Sequence, residues 1–374
     1  AGVLALHASL TLLYTPLRKL LCGLTPLEPP HNGIARYVFE LIKNLSSSCR
    51  ESIFVLANSK KSCVYSLLDR SQVIGAKSKW LGLLEQFEIP YLLWKNKIDF
   101  FHSPSFFVPF FCPCHFVVTL HDMNHLVRKK DYGFLQKIYY EFFLKKSLEK
   151  SFKIITVSHF SKSEILRFYP ELEEKRIQVI PNGVTKFQVS KYDHIEVKKK
   201  WNLPEKFCFA LSNGKAHKNI ERLTRVYGSL DSSFPLVIAG KIPNALLDQD
   251  LGRKVIFLEY VSEKELFALY NLCDLFIFPS LYEGFGLPPL EALSSGARVL
   301  SSNSTSMPEV LGKYATYFDP DSDESLRRAL DNFLIEDHER FSRKEAKSYA
   351  RAFSWSCLSH EVEVLYGEAS ESCH

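Results

Sequence analysis

The sequence predicts an α/β protein made of two Rossmann-like, parallel-sheet domains. Three observations carry that prediction. At 374 residues the chain exceeds one ordinary α/β core and suits two domains of about 150 to 200 residues each. Short apolar runs alternate with helical stretches, and the alternation occurs twice. Between the two sets lies a break rich in turn-forming and charged residues.

In the first set the strand candidates are residues 52–57, 98–102, 116–120, 154–157 and 177–180, with helices near 34–46, 134–150 and 160–168. The break is Pro181-Asn182-Gly183-Val184 and the charged stretch that follows to Lys200, which reads as an inter-domain linker. The second set has strand candidates at 207–211, 236–239, 255–258, 275–278 and 297–300, with intervening helices such as 263–272. Repeated strand-helix-strand units imply parallel sheets covered on both faces, which bind ligands at the carboxyl ends of their strands. Two such sheets facing each other would form a cleft. The expected partition is residues 1–185, then 186–354, with a C-terminal helix over 355–374 crossing back to the first domain and making hinge closure plausible.

The formal net charge of +5 is divided unevenly. Residues 1–185 hold 24 Lys and Arg against 15 Asp and Glu, a surplus of +9, while the remainder holds 23 against 27, a deficit of −4. No nucleic-acid recognition module accompanies the basic half, so no nucleic-acid partner is expected. The basic, aromatic stretch 134–150, preceded by Arg128-Lys129-Lys130, suggests either a core-facing helix with solvated lysines or a peripheral contact with an anionic membrane surface.

Nine cysteines, odd in number and scattered, several of them inside apolar strand candidates, suit a reduced, cytoplasmic protein. Cys112-Pro113-Cys114-His115 matches no usual zinc ligand spacing, so no metal site is expected. No apolar stretch approaches the roughly 20 residues that span a bilayer. Residues 1–13 lack a basic start and a clean cleavage site, so they read as a first strand rather than a signal peptide.

The segment from Pro279 to Glu291 is the most informative. It sets Glu283 and Glu291 on either side of a Gly-rich turn between an apolar strand and a helix start at Pro288-Pro289. Gly284 and Gly286 allow close backbone approach to a ligand, and the amides from Phe285 to Leu287 at the helix N-terminus suit a phosphate. Glu283 would accept sugar hydroxyls, and Glu291, placed in the first helical turn, those of a ribose. Taken alone, the pair also fits a solvated loop residue and a partner for the helix dipole.

Ser280 to Pro288, Glu291 to Gly296 and Ser306 to Val310 together resemble the donor-binding region of the retaining glycosyltransferases of family 4 (GT4), which have the GT-B fold. His31 to Tyr37, Val118 to Asp122, Ile155 to Ser158, Val179 to Val184, His217 to Leu223 and Phe353 to Trp355 look like further family landmarks in family order. The resemblance covers roughly residues 30 to 367, and its branch is similar to the WbaZ-like, mannosyltransferase-related group. It implies an acceptor-side first domain and a nucleotide-sugar-binding second one.

By resemblance Lys218 is the cation for the leaving group, with Lys215 standing near the place where many family members have an Arg. His121 resembles the histidine that contacts the donor hexose, expected at the cleft-facing edge of the first domain. Gly33, with Asn32 before it, makes a helix start that by resemblance would close over the donor phosphates or the acceptor, with His31 and Arg36 nearby, and Val261 lies in a stretch that looks like the family's base-contacting segment.

The expected function is therefore a metal-independent, retaining hexosyltransferase. It would need no cofactor and would use a nucleotide-diphosphate sugar, GDP-mannose by expectation, as co-substrate toward a glycan or lipid-linked glycan. Asp319 to Asp323 reads as a turn and helix cap rather than a chelating site. A nucleotide-sugar epimerase or hydrolase of the same fold and a non-catalytic nucleotide-sugar-binding protein are the alternatives.

Overall fold

The computed structural model describes residues 19–22, 33–57, 63–78, 84–128, 133–231, 234–246, 254–335 and 342–372. By their contacts these fall into two compact units. One takes in residues up to Thr119, Phe143–Ile154 and the chain from Ser359 onward; the other takes in Leu120–Phe142 and Ile155–Leu358. The contacts thus assign residues 155–185 to the second unit, whereas the sequence partition ends its first domain at 185. The last helix, Trp355–Ser372, begins in the second unit, and its residues from Ser359 on belong to the first.

The first sheet is built from β1 (Lys19–Cys22), β2 (Ile53–Ala57), β3 (Val73–Gly75), β4 (Phe100–Ser103), β5 (His115–Leu120), β6 (Lys153–Thr156) and β7 (Ile177–Val179), in the order β3-β2-β1-β4-β5-β6-β7. Pairings from β3 through β5 are parallel. Five of these strands stand where the sequence places them. β1 and β3 were not anticipated, and the expected strand within residues 1–13 lies outside the described residues.

Inside the first unit a polar chain is sealed into this sheet. His102 on β4 holds Tyr366 Oη at 2.7 Å through Nδ1 and Thr119 Oγ1 at 2.8 Å through Nε2, and Tyr37 Oη lies 3.1 Å from the same Thr119 oxygen. None of the four residues is more than 1% exposed. Burial holds both tyrosine hydroxyls well above their ordinary range, so they stay protonated.

The second sheet comprises β8 (Cys208–Asn213), β9 (Leu236–Lys241), β10 (Val255–Leu258), β11 (Leu275–Phe278), β12 (Arg298–Ser302) and β13 (Thr316–Phe318), in the order β10-β9-β8-β11-β12-β13. Its neighbouring strands run parallel. Successive side chains of a strand face opposite ways, so a strand covered on both sides must be apolar throughout. β11 obeys this: Phe276 and Phe278 pack in an aromatic cluster with Phe209, Phe267 and Tyr270, while Leu275 and Ile277 join Cys208, Ala210 and Ile238 on the other face. Each fully buried Phe contributes about 1.5–3 kcal/mol relative to an exposed one.

The strand order reverses between β8 and β11, which pair through Leu275–Cys208, Phe276–Phe209 and Ile277–Ala210. Loops leaving their carboxyl ends therefore diverge, and open sheets of this kind bind ligands at such a reversal.

The charged stretch expected as a linker is instead ordered. Lys191–Lys200 is a helix with Ser190 and Asp193 in a reciprocal cap, and Lys264 reaches Asp193 at 2.6 Å while Lys200 reaches Glu265 at 2.6 Å. The helix docks on Glu263–Leu272 through Val197, buried in the same cluster as Phe267, with these partly exposed pairs at the border of that contact. Among the described residues no helix is long and apolar enough to cross a membrane.

Candidate active site

Two loops of the second unit meet at the reversal. The first leaves β8 through Gly214 and Lys215 into the short turn Ala216–Lys218. The second leaves β11 through Ser280 to Glu283 and ends at helix Leu287–Ser295. Lys218 Nζ contacts Glu283 Oε1 at 2.5 Å, with only 15% and 16% of the two side chains exposed. The ammonium also lies 5.2 Å from the centre of the Phe278 ring. Ser280 Oγ is 2.6 Å from the same Glu283 oxygen, and the Ser280 hydroxyl lies 3.2 Å from the His217 carbonyl, so the two loops are joined by side chain and backbone alike.

The Glu283 backbone is fixed as firmly as its carboxylate. Its amide donates to Thr305 Oγ1 at 3.2 Å, and its carbonyl accepts from Ser306 Oγ at 3.0 Å. The next residue, Gly284, passes so near the chain after β5 that an added Cβ would lie 1.9 Å from the His121 carbonyl oxygen. The Gly284 carbonyl in turn accepts from Ser158 Oγ at 2.6 Å and lies 3.2 Å from Ser161 Oγ. The His121 backbone is thereby held against Gly284, and contacts assign His121 to the second unit, whereas the sequence placed it at the edge of the first domain.

Gly286 caps the helix at φ +87°, a left-handed conformation that L side chains rarely adopt. Among the described residues, none accepts a hydrogen bond from the amides of Phe285, Gly286 or Leu287. A helix start with donors unmet by protein is an anion site in waiting.

Glu291 departs from expectation. The helix begins at Leu287, so Pro288 and Pro289 lie inside its first turn and Glu291 falls in the second, buried to 2% exposure. The first three amides of a helix have no intrahelical partner, which lets two prolines sit there and moves the start upstream. That position, one turn in, leaves the helix dipole a smaller share in its placement.

The other expected residues are placed as follows. Lys215 is exposed, and its amide donates to Asn213 Oδ1 at 3.1 Å. Val261 is half-buried beyond β10 against the aromatic cluster, just before the Ser262 cap of helix Glu263–Leu272. Gly33 opens helix Gly33–Asn44 of the first unit and is exposed; His31 and Asn32 lie outside the described residues. Asp319 to Asp323 forms the expected turn before helix Asp323–Ile335.

Electrostatics mark the same place. Burial first, then the nearby Glu283 charge, raise the Asp122 carboxyl above its ordinary range, against the pull of Lys215 and Lys218. Burial, reinforced by Lys218, lowers the His217 imidazole to about 4, so it is neutral at pH 7. Sequence reasoning gave no role to Ser158, Ser161, Ser280, Thr305, Ser306 or Glu309. Four of these, Ser158, Ser280, Ser306 and Glu309, lie within landmarks it quoted. Glu309 accepts the amides of His159 and Phe160 at 2.7 and 2.9 Å, tying the segment after β12 to the helix after β6. Among the described residues no group of three His, Cys, Asp or Glu side chains is disposed to hold a metal ion.

Comparison with known proteins adds an independent finding. A family model described as Glycosyltransferase Family 4 matches residues 31–186, and one described as Glycosyl transferases group 1 matches residues 192–353. The chain is 34% identical over 291 residues to the serotype-specific mannosyltransferase WbdA of Escherichia coli, covering 70% of this chain and 35% of that protein. It thus spans about a third of the length of such relatives. It is 26% identical over 381 residues to the O-antigen chain mannosyltransferase B of Escherichia coli, covering 92% and 99% of the two chains. Among solved structures, sucrose-phosphate synthase of Thermosynechococcus elongatus superposes with a TM-score of 0.76 at 16% identity over 95% of this chain and 100% of that one. HepE of Anabaena, in complex with UDP and glucose, gives 0.71 at 16% identity over 94% and 100%. Likeness at such identity speaks for the fold.

Proposed function

The chain belongs to the group 1, family 4 glycosyltransferases and has the GT-B fold, and from that premise we propose that it moves a hexose, with retention and without a metal, from a nucleotide-diphosphate sugar to a glycan or lipid-linked glycan. GDP-mannose is the proposed donor, supported by the mannosyltransferase names of the relatives.

The observation that carries the reading is the Lys218–Glu283 pair standing beside three unmet amides on adjoining loops. Breaking the bond from anomeric carbon to phosphate leaves positive charge on the sugar and negative charge on the departing diphosphate. Lys218 and the amides of Phe285, Gly286 and Leu287 would receive the diphosphate, and Lys215 adds an exposed cation nearby. Fixed donors of this kind, aimed at developing charge, are worth about 3 to 4 kcal/mol each. They supply the countercharge that a metal otherwise provides, which supports metal independence.

Glu283, already held through Ser280 and Thr305, would orient the hexose by accepting its hydroxyls, and His121 would contact the same ring. Glu291, withdrawn from water beforehand, would accept ribose hydroxyls at little further desolvation cost. Val261 would border the base, and Gly33 would close on the donor or acceptor.

The test is a thermal-shift series with GDP, UDP and their sugars, followed by transfer assays in chelator. GDP and GDP-mannose should raise the melting temperature in proportion to their logarithmic concentration, with UDP weaker. Donor hydrolysis outpacing transfer to every glycan offered would point to a hydrolase, and donor binding with neither reaction would point to a binding protein.

A further inference from the structure

The first unit leaves an aromatic face uncovered. Along helix Glu85–Lys95, Leu84 at its cap, Phe87, Tyr91 and Trp94 are 72%, 78%, 53% and 72% exposed. Their spacing of three, four and three residues places all four on one side of the helix, while Glu85, Ile89 and Leu93 are buried on the other. The loop Phe110–Phe111 is tied to the same helix, because the Phe110 amide donates to Gln86 Oε1 at 2.8 Å, and the Phe110 and Phe111 rings stand edge to face at 4.9 Å. Phe111 is 75% exposed.

Cations border these rings. Lys146 and Lys150 lie 5.3 and 5.4 Å from the centre of Phe110, and Lys95 lies 5.7 Å from that of Tyr91. The helix's own carboxylates are turned away: Glu85 is fully buried, and Glu88 accepts the amides of Lys77 and Ser78 at 2.8 and 2.7 Å. Exposed acids elsewhere in the unit include Asp99 and Glu149, the latter beside Lys145 at 3.8 Å.

We propose that this face docks the chain on an anionic lipid surface, the aromatic rings entering the headgroup boundary and Lys95, Lys146 and Lys150 meeting lipid phosphates. Contiguous exposed apolar surface of this kind marks an interaction site, and Trp and Tyr flanked by Lys suit a membrane boundary. Charge decides against a second copy of the chain. A two-fold contact would set this patch against itself, bringing lysine toward lysine with the helix carboxylates withdrawn. The surface also differs from the one suggested by sequence: Leu144 and Leu148 of helix Phe134–Lys150 are buried, and Lys146 and Lys150 of that helix border the face.

The inference stands apart from sugar transfer, so it is tested without it. The protein is sedimented with vesicles of phosphatidylcholine alone or mixed with phosphatidylglycerol. Binding to the mixed vesicles, weakening as salt rises, is expected. Phe87→Ser/Tyr91→Ser/Trp94→Ser should cut partitioning by more than about tenfold, and Lys146→Gln/Lys150→Gln by about fivefold per lysine. Far-ultraviolet dichroism and melting temperature should remain those of the parent, since these side chains are exposed or at the surface. Equal pelleting with both vesicle types, no loss in either variant, or a concentration-dependent dimer abolished by the aromatic variant would overturn the proposal.

Discussion

Two buried polar clusters, one in each unit, differ in what they leave unsatisfied. In the first unit His102, Thr119, Tyr37 and Tyr366 bond to one another, and none is more than 1% exposed. In the second, Lys218 and Glu283 keep 15% and 16% exposure, form an ion pair, and stand on loops that include three amides without acceptors among the described residues. A buried histidine or tyrosine therefore does not mark a site by itself; the first cluster is closed and serves folding. Residual charge and spare donors at a strand-order reversal distinguish the second.

Removing the charge should separate the two most sharply. Lys218→Ala is expected to lower kcat by about 10²- to 10³-fold, with little change in the urea midpoint, as measured by initial rates beside chemical unfolding. A comparable loss of stability with unchanged kcat would make the pair structural. Gly284→Ala comes next: its methyl would meet the His121 carbonyl, a rigid backbone atom, so about 1–3 kcal/mol or more of stability should be lost along with transfer. Tyr366→Phe, in the closed cluster, leaves His102 Nδ1 without its partner. About 1–3 kcal/mol in the urea midpoint is expected, with kcat unchanged.

The most gradual effect is that of pH. Burial lowers both His125 and His217, in the second unit, to about 4 from the ordinary 6.5. Between those values the unfolded chain binds more protons than the folded one, so stability is whole above pH 6.5 and falls as the solution is acidified toward pH 4. Imidazole titration by NMR checks this; midpoints near 6.5 for both rings would refute it.

Much of this was legible in the sequence because parallel strands buried on both faces announce themselves as continuous apolar runs. β5, β6, β10 and β11 appear within a residue of where the runs put them. β1, β3 and β13 were not anticipated, although β7 has only three residues at a sheet edge and β11 only four, so shortness alone does not hide a strand. The Glu283 loop was visible through its glycines, but not the support beneath it. Ser158, Ser306 and Glu309 lie far from Glu283 in the chain, and single hydroxyls or carboxylates that bond to backbone carry no periodicity. Pro288 concealed the register of Glu291, since proline marks the beginning of a helix without saying which of the first positions it fills.

One consequence follows from the contact between the Lys218 ammonium and the Glu283 carboxylate. The lysine is already engaged before any donor arrives, so an incoming diphosphate must first compete with an internal anion. Neutralising the rival through Glu283→Gln should therefore tighten the hold on a nucleoside diphosphate even as turnover collapses, making the crippled protein the better vehicle for capturing an intact donor in a crystal.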